Sequence, residues 1–398
     1  MLPPREMRQT YSRSMKRFEP LHVAGALQLH SHVAHMPDLI GLFFGVLGPI
    51  LAFVFMLTPL IVVHELGHLI AARKFGVNAP EFGIGFPPRI ATFFKGAKTE
   101  LTINAIPIGG FVRLAGAEEG DLQKGGWNHA SLRAKIAIMV AGVAMNFVTA
   151  IILLTIVFGP MSERAEVYLD EVQADSPAAA AGMVSGDRLT AINDVVLEMQ
   201  GAPLSNLRTL AGEEISVALL HADGRAETVT VHLRTLEEAK DRGVLGVTIE
   251  KVSAAGPLNR GLPDAVRMAV GESASVATGL LDALWKLASS PFQSGTDAPA
   301  LSGPIGLSVA VAENAGRLGI AGLLHFAGIL SVNLAVLNIL PIPPLDGGRV
   351  ATVVLRRALG ERRGVRAERI LQMVGLALML LLFSWITLGD VLGLIGRN

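Results

Sequence analysis

Four long apolar segments dominate the pattern of hydrophobic and polar positions along this chain. They cover residues 39–63, 136–161, 318–345 and 370 to about 389, and none of them contains Asp, Glu, Lys or Arg. About twenty apolar residues are enough for a helix to cross the hydrocarbon core of a bilayer. The pattern therefore predicts a membrane α-helical protein with four transmembrane helices.

The region between the second and third apolar segments has short helix and strand patterns, which are typical of an inserted α+β domain. The segment from Ser176 to Gly182 has the N-cap, first-turn proline and terminal glycine of a short helix. Apolar and polar residues alternate over 215–219 and 229–233, on either side of an Asp-Gly turn at Asp223. This order resembles a PDZ domain with permuted strands; a generic small β-rich domain is the alternative.

The composition agrees with a membrane protein and excludes some classes of chemistry. Hydrophobic residues make up 51% of the chain and charged residues only 17%, whereas soluble domains carry about 25% charged residues. The sequence has no cysteine, which excludes a disulfide framework, a thiolate metal site and a thiol nucleophile. The formal net charge is zero, so nothing indicates a nucleic-acid partner.

Basic residues predict how the chain is oriented in the membrane. They concentrate in the connections 73–135 and 349–369, and the positive-inside rule places both connections in the cytoplasm. The long region 162–316 is then extracytoplasmic. The basic residues within 1–17 disagree with this topology. We interpret residues 1–36 as a disordered N-terminal extension, and a start codon assigned too early is the alternative.

Candidate catalytic residues lie at the end of the first apolar segment, in the sequence His64-Glu65-Leu66-Gly67-His68. Two histidines four residues apart share one face of a helix and can bind a metal, and the glutamate between them can act as a general base. The alternative is that His64 and His68 are polar residues satisfied by backbone or water. Ionisable groups at membrane depth are costly and usually functional, which favours the metal site.

Asp346 is the candidate for a third metal ligand. Catalytic zinc sites have three protein ligands and leave a fourth position open. Asp346 follows the third apolar segment, after a run of prolines and before Gly347 and Gly348, and such irregular backbone is tolerated at membrane depth only where protein or a cavity satisfies it. The topology places Asp346 and the two histidines at matching cytoplasmic depth, so they are predicted to share a metal.

Together these motifs resemble the site-2 protease family of intramembrane zinc metalloproteases, in particular the bacterial branch that cleaves anti-sigma factors. The resemblance begins near residue 39 and runs to the C-terminus. Two departures are Val143, which stands where the family usually has proline, and residues 1–36, which have no family counterpart. Beyond the two motifs above, the matching segments are 82–86 (FGIGF), 109–116 (GGFVRLAG), 127–128 (WN), 141–147 (AGVAMNF) and 303–306 (GPIG).

The resemblance implies a zinc ion held by His64, His68 and Asp346, with Glu65 as the general base. It also implies that asparagines near the metal bind the substrate backbone, although packing between helices is an equally good interpretation for each of them. The candidates are Asn146, Asn333 and Asn338.

The family also places a membrane-dipping β-hairpin after the first span, where it pairs with an unwound substrate. Residues 100–108 alternate in polarity, and Pro107 suits an edge strand. We therefore expect this edge to add a substrate strand through main-chain hydrogen bonds, while a solvated cytoplasmic hairpin is the alternative. The predicted substrate-binding residues here are Ile103, Ala105, Gly109 and Gly110.

The predicted domain order follows from these segments. It consists of an N-terminal extension, two spans with the HExxH motif and hairpin, the PDZ-like domain, a linker and two last spans with the Leu-Asp-Gly motif. Apolar spacing over 265–287 predicts a helix in the linker, lying along the membrane interface or packed against the spans. The respective ranges are 1–36, 37–161, 162–250, 251–317 and 318–398.

The function implied is that of an intramembrane zinc endopeptidase in the bacterial cytoplasmic membrane. Its substrates would be single-span membrane proteins, such as anti-sigma factors or signal-peptide remnants, some of them first cut by another protease. An ion-coupled transporter is one alternative, but it would be expected to repeat its interrupted segments in two halves. A catalytically inactive PDZ scaffold is the other, and it would not require the two histidines, the glutamate and the aspartate together.

Overall fold

The computed structural model describes residues 36–116, 125–199, 205–239, 242–289 and 304–395. The chain divides into two compact units, Met1–Leu51 and Ala52–Asn398, and the contacts below all lie within the second unit. The predicted N-terminal extension lies outside the described residues, apart from the first residue of helix α1. The described helices are α1 (Met36–Lys74), α2 (Leu132–Phe158), α3 (Pro177–Ala180), α4 (Leu236–Ala239), α5 (Leu262–Ser289), α6 (Pro304–Ile339), α7 (Asp346–Leu359) and α8 (Glu361–Ile395).

Four helices in the described part of the chain are long and apolar enough to cross a membrane, as predicted. The spanning segments are Gly48–Lys74, Leu132–Phe158, Gly319–Ile339 and Gly364–Gly389. The first continues through the HExxH motif, whereas the third ends earlier than the predicted residue 345. Proline lacks a backbone donor and clashes with the preceding helical turn, so the proline run after Ile339 ends α6.

Helix α2 is the centre of the described helical bundle. Its apolar residues pack against α5 and α6, and α6 also packs against α1. Ala150, Leu154 and Val157 on α2 are completely buried. Helix α5 contributes the small buried residues Ala265 and Ala269 to this packing, so of the two interpretations for the linker helix the structure favours the packed one.

The strands of the inserted domain are β3 (Glu163–Val172), β4 (Arg188–Ile192), β5 (Val195–Val196), β6 (Glu214–Leu220), β7 (Ala226–His232) and β8 (Val247–Pro257). They form an antiparallel sheet in the order β7-β6-β4-β3-β8, with β5 paired to β4. Its hydrophobic core consists of its own residues, from strand β3 through strand β8. The predicted helix cap is present, because the Ser176 hydroxyl accepts a hydrogen bond from the Ala179 amide.

Strand β8 carries the sheet past the predicted domain boundary at residue 250. Glu163 at the start of β3 pairs with Pro257 at the end of β8. The chain therefore enters and leaves the inserted domain side by side, and the paired strands of its sheet extend to residue 257.

A second sheet follows α1 and consists of two long strands, β1 (Glu81–Lys95) and β2 (Glu100–Arg113). Residues 81–84 pair with residues 100–103 in parallel and with residues 110–113 in the opposite direction. Residues 89–95 run antiparallel to residues 100–104. The two strands thus form four short segments, and the outer ones are 89–95 and 110–113.

This register corrects one prediction. Ile103 pairs with Ile84 on one side and with Ala91 on the other, so residues 100–104 are an inner segment and not a free edge. Alternating polarity identifies a strand but does not distinguish an inner strand from an outer one. Residues 110–113 form the outer segment next to residues 81–84, and we name them the edge segment.

Candidate metal centre and active site

The HExxH histidines lie on one buried face near the C-terminal end of α1, as their spacing predicts. His64 is 6% exposed and His68 is 5% exposed. Their Nε2 atoms are 3.1 Å apart, and the two rings meet edge to face. Two imidazole nitrogens are therefore held within reach of one metal ion.

Asp346 reaches the same point from the first residue of α7. Its Oδ2 atom lies 2.9 Å from His64 Nε2 and 3.1 Å from His68 Nε2. Burial raises the pKa of the Asp346 carboxyl, but hydrogen bonds with the two imidazoles lower the pKa by more, so it lies below its ordinary value. The group is an ionised carboxylate, which is the form that binds metals.

The glycines after Asp346 allow the tight turn that places this carboxylate. A Cβ atom on Gly347 would lie 2.1 Å from the Ile339 carbonyl oxygen, and one on Gly348 would lie 2.4 Å from the Pro343 nitrogen. Real Cβ atoms do not come this close to backbone. Only glycine lets the start of α7 fold against the end of α6, and that contact brings Asp346 to the histidines.

The second ring nitrogen of each histidine, Nδ1, contacts a residue of α2. His68 Nδ1 lies 2.7 Å from the Ile138 carbonyl oxygen, which requires Nδ1 to carry the proton and leaves the Nε2 lone pair free for a metal. Asn146 is completely buried, and its Nδ2 atom lies 3.2 Å from His64 Nδ1. The Ser331 hydroxyl on α6 donates to the Asn146 backbone carbonyl at 2.9 Å, which fixes α2 and α6 at this level.

The buried Asn146 side chain provides a test of whether zinc fits. Its Oδ1 atom has no hydrogen-bond partner among the described residues. If the amide turns by 180°, His64 Nδ1 can donate to Oδ1 and the His64 Nε2 lone pair becomes available; amide orientation is not fixed by the positions of the heavy atoms. Histidine ligands of zinc commonly donate their other N–H to such an acceptor, so the three donors and their surroundings fit the ion.

This position corrects the prediction for Asn146. A completely buried side chain in contact with His64 is not available to a substrate backbone. Its contact instead orients a histidine. Asn333 and Asn338 are partly exposed on α6, so their predicted contact with substrate stays a prediction.

Two glycines let α1 and α2 approach closely at the metal centre. A Cβ atom on Gly67 would lie 2.5 Å from the Ala141 carbonyl oxygen. A Cβ atom on Gly142 would lie 2.6 Å from His68 Nε2 and 2.8 Å from His64 Cε1. The imidazoles of α1 therefore rest directly on the backbone of α2.

Glu65 faces the edge segment of the second sheet. Its Oε2 atom accepts a hydrogen bond of 3.1 Å from the Val112 amide, and its Cγ atom would lie 3.9 Å from a Cβ on Gly110. Gly109 has φ 78°, a conformation that favours glycine. The predicted residues Gly109 and Gly110 thus lie next to Glu65, whereas Ile103 lies in the inner segment and Ala105 is exposed beyond it.

One buried carboxylate, which the sequence analysis missed, joins the segments of this sheet. Glu81 is 4% exposed and accepts hydrogen bonds from Arg89 at 2.6 Å and from the Thr102 hydroxyl at 2.9 Å. Arg113 forms an ion pair with the other Glu81 oxygen at 3.1 Å. Each of the four segments contributes one residue to this cluster. Through its ion pair with Arg113, Glu81 holds the edge segment beside Glu65. Its sequence signal is weak, since it is one acidic residue among several in a basic connection.

His64, Glu65 and His68 alone also present three ligand atoms within 4.8 Å of one another. Glu65 is less suitable than Asp346 as the third ligand, because one of its oxygens is occupied by the Val112 amide. Asp346 contacts both histidine Nε2 atoms directly. The geometry therefore favours two histidines and one aspartate as ligands, with Glu65 beside them.

Comparison with known proteins gives the family of this chain. Residues 52–382 match Peptidase family M50. A protein of Agrobacterium fabrum named as a zinc metalloprotease is 30% identical, over 88% of this chain and 97% of its own length. A zinc metalloprotease by name in Mesorhizobium japonicum is 31% identical, over 87% of this chain and 99% of its own. The regulator of sigma-W protease RasP of Bacillus subtilis is 25% identical, over 86% of this chain and 98% of RasP.

One solved structure, the PDZ domain of an SdrC-like protein from Listeria monocytogenes, is 21% identical and covers 21% of this chain and 86% of its own, with a TM-score of 0.18. The family match covers most of the sequence, and it includes the two histidines, the glutamate and the aspartate described above. The chain belongs to Peptidase family M50, the site-2 protease family, and is a zinc metalloprotease.

Proposed function

We propose that this protein is an intramembrane endopeptidase that cleaves transmembrane segments of other proteins in regulated intramembrane proteolysis. The observation that carries the proposal is the convergence of His64, His68 and Asp346 beside Glu65, at the ends of apolar helices. A peptidase site at that depth can reach peptide bonds that the bilayer hides from soluble proteases. The name of RasP, a regulator of sigma-W protease, supports anti-sigma factors as one substrate class, and signal-peptide remnants are another.

The proposed chemistry assigns separate roles to the buried groups. His64, His68 and Asp346 would hold a zinc ion, which would supply Lewis acidity at the reaction centre. Glu65 accepts the proton of the attacking water and then donates a proton to the leaving amine. The contacts of Ile138 and Asn146 hold the two imidazoles in the orientation that leaves their Nε2 lone pairs toward the centre.

We propose that the edge segment 110–113 holds the substrate in extended form. A helical substrate hides its peptide bonds in its own hydrogen bonds, and pairing with a sheet edge replaces those bonds. Exposed apolar residues along the outer side of the sheet support contact with lipid, as in the membrane-dipping hairpin predicted from the sequence. They include Ile90, Phe93 and Phe94, which are 68%, 75% and 61% exposed.

The direct test combines metal analysis with a cleavage assay. We expect the purified protein to contain one zinc ion per chain and to cut a model transmembrane peptide in detergent or liposomes, and chelation should remove both zinc and activity. Zinc without cleavage of any peptide would support the inactive scaffold instead. Metal-independent ion transport in liposomes would support the transporter.

We further propose that the active site faces the cytoplasm and that the PDZ-like domain lies outside the bacterial cytoplasmic membrane. The basic connections support this orientation. The chain has no cysteine, so single cysteines can report it: Asp223→Cys should react with an impermeant thiol reagent in spheroplasts, and Arg357→Cys should react only after lysis. Labelling of both from the same side would contradict the topology.

We propose that the PDZ-like domain filters substrates by the size or chain ends of their outer portions. Because Glu163 and Pro257 are paired neighbours, residues 163–257 can be replaced by a short Gly-Ser linker without stretching the chain. We expect this variant to bind zinc and to cut a short transmembrane peptide at the wild-type rate, since every proposed catalytic group lies outside the excised range. Substrates with a bulky outer domain should now be cut as well.

If the excised variant holds zinc but cuts neither short nor long substrates, the domain takes a direct part in presenting the scissile segment. If it cuts both at the wild-type ratio, the domain is not a filter.

A further inference from the structure

A buried ion pair joins the PDZ-like domain to the helical bundle. Glu198, which follows β5, and Arg260, which precedes α5, are 7% and 14% exposed at their side chains. The Arg260 guanidinium donates through Nη2 to Glu198 Oε1 and through Nη1 to Glu198 Oε2, the latter at 3.1 Å. Such two-pronged pairing fixes both the distance and the relative orientation of the partners.

Arg260 also contacts the end of the second transmembrane helix. Its Nη1 atom donates to the Phe158 carbonyl oxygen at 2.9 Å. Phe158 is the last residue of α2, and the last carbonyls of a helix have no partner within the helix. A cation at that position also interacts favourably with the helix dipole. One guanidinium therefore satisfies an orphan carbonyl of the bundle and a carboxylate of the inserted domain.

Short chain connections surround this contact. The Ser162 hydroxyl donates to Glu198 Oε2 at 3.2 Å, and the Leu258 amide donates to the Ser162 carbonyl at 2.9 Å. The chain thus leaves α2 and returns to α5 through two adjacent strand ends. A two-stranded stalk of this kind would by itself be a hinge.

The described hydrophobic clusters do not connect the PDZ-like domain to the helical bundle. The hydrophobic cluster of the PDZ-like domain consists of residues between 165 and 247, and the described clusters of the bundle include none of them. Domains joined by small interfaces are expected to move relative to each other. Arg260 and Glu198 connect the domain and the bundle at the stalk, where a fixed angle has the greatest effect on the position of the domain.

We propose that Glu198 and Arg260 form a clamp that fixes the PDZ-like domain over the outer end of the helical bundle and thereby sets the size limit on substrates. The fixed position of the domain is inferred from the contacts alone, whereas the size limit on substrates rests on the proposed function as an intramembrane protease with a filter. Buried ion pairs contribute little net stability, and fixing one geometry among several is a role that some of them have.

The clamp can be tested by distance measurement on the cysteine-free protein. Spin labels are attached at Asp223→Cys, in the exposed β6–β7 turn, and at Ile152→Cys, which is 54% exposed on α2. Pulsed electron paramagnetic resonance should give a narrow distance distribution in the otherwise unchanged protein. Arg260→Ala should at least double its width. Arg267→Ala is the matched control, because Arg267 lies in the helix α5 that follows Arg260 and forms an exposed pair with Asp264. It should leave the distribution unchanged.

Cleavage tests the size limit on substrates. In Arg260→Ala, the rate for a substrate with a bulky outer domain, divided by the rate for a short transmembrane peptide, should rise by about tenfold or more, a change well above assay error. Bound zinc and the short-peptide rate should match the wild type. If Arg260→Ala does not accumulate as folded protein, Glu198→Gln replaces it in both measurements. Glu198→Gln removes the charge pair but keeps the contact between Arg260 and the Phe158 carbonyl. We therefore expect a smaller broadening of the distance distribution and a smaller rise in the ratio of cleavage rates.

A broad distribution in the parent protein, or an unchanged one in Arg260→Ala and Glu198→Gln, would overturn the clamp. Broadening with an unchanged substrate ratio would overturn its role in the size limit. A parent protein that cuts no peptide would contradict the proposed function, and the distance measurement would still decide whether the clamp exists.

Discussion

Glu65→Gln is expected to reduce cleavage of a transmembrane peptide by about 10²–10⁴-fold, the range for loss of a general base or acid, while zinc content stays at the wild-type level. Glutamine has the size of glutamate but cannot accept a proton at neutral pH. Its Oε1 atom can still accept the hydrogen bond that the Val112 amide donates to Glu65, so the edge segment should keep its place. Turnover and zinc content are measured on the same purified sample.

Asp346→Asn provides the contrast, because it changes a proposed ligand and not the base. A neutral amide is a much weaker ligand than the carboxylate that lies 2.9 Å and 3.1 Å from the two histidines. We expect zinc content and activity to fall together in this variant. Equal loss of zinc in Glu65→Gln would make Glu65 a ligand, and full zinc and activity in Asp346→Asn would remove Asp346 from the metal site.

The parts of the fold that depend on local pattern could be predicted from the sequence. Spans follow from length and apolarity, and the cap at Ser176 follows from the preference of serine for that position. The meeting of the candidate metal ligands could also be predicted. Helical spacing puts His64 and His68 on one face, and Asp346 follows a span whose end the basic connections predict to lie at the same membrane depth.

The contacts across the fold could not be predicted, because a uniformly apolar helix does not reveal which face meets which neighbour. Asn146 lies on such a helix, so its contact with His64 depends on a rotation of α2 that no periodicity specifies. The inner position of residues 100–104 and the clustering at Glu81 depend on pairings between segments far apart in sequence. The Glu198 and Arg260 pair likewise joins residues 62 positions apart.

Gly142→Ala is expected to weaken zinc binding by at least about tenfold, comparable to the loss of a group that orients a ligand. The added methyl group would lie 2.6 Å from His68 Cε1 and Nε2 and 2.8 Å from His64 Cε1, distances that require the rings to move. His68 cannot turn away freely, since its Nδ1 is bound to the Ile138 carbonyl on the same helix that carries the new methyl group. Separating α1 from α2 would move both histidines relative to Asp346.

Gly271→Ala is the matched control for this substitution. Gly271 lies within α5, and a Cβ atom there would have no neighbour within 4 Å. Alanine is the better helix former by about 1 kcal/mol, so this variant should bind zinc normally and melt at the same or a higher temperature. Zinc affinity is measured by competition with a chelator for both variants. Unchanged affinity and activity in Gly142→Ala would mean that the imidazoles do not rest on the backbone of α2, which would contradict the close approach of α1 and α2 at the metal centre.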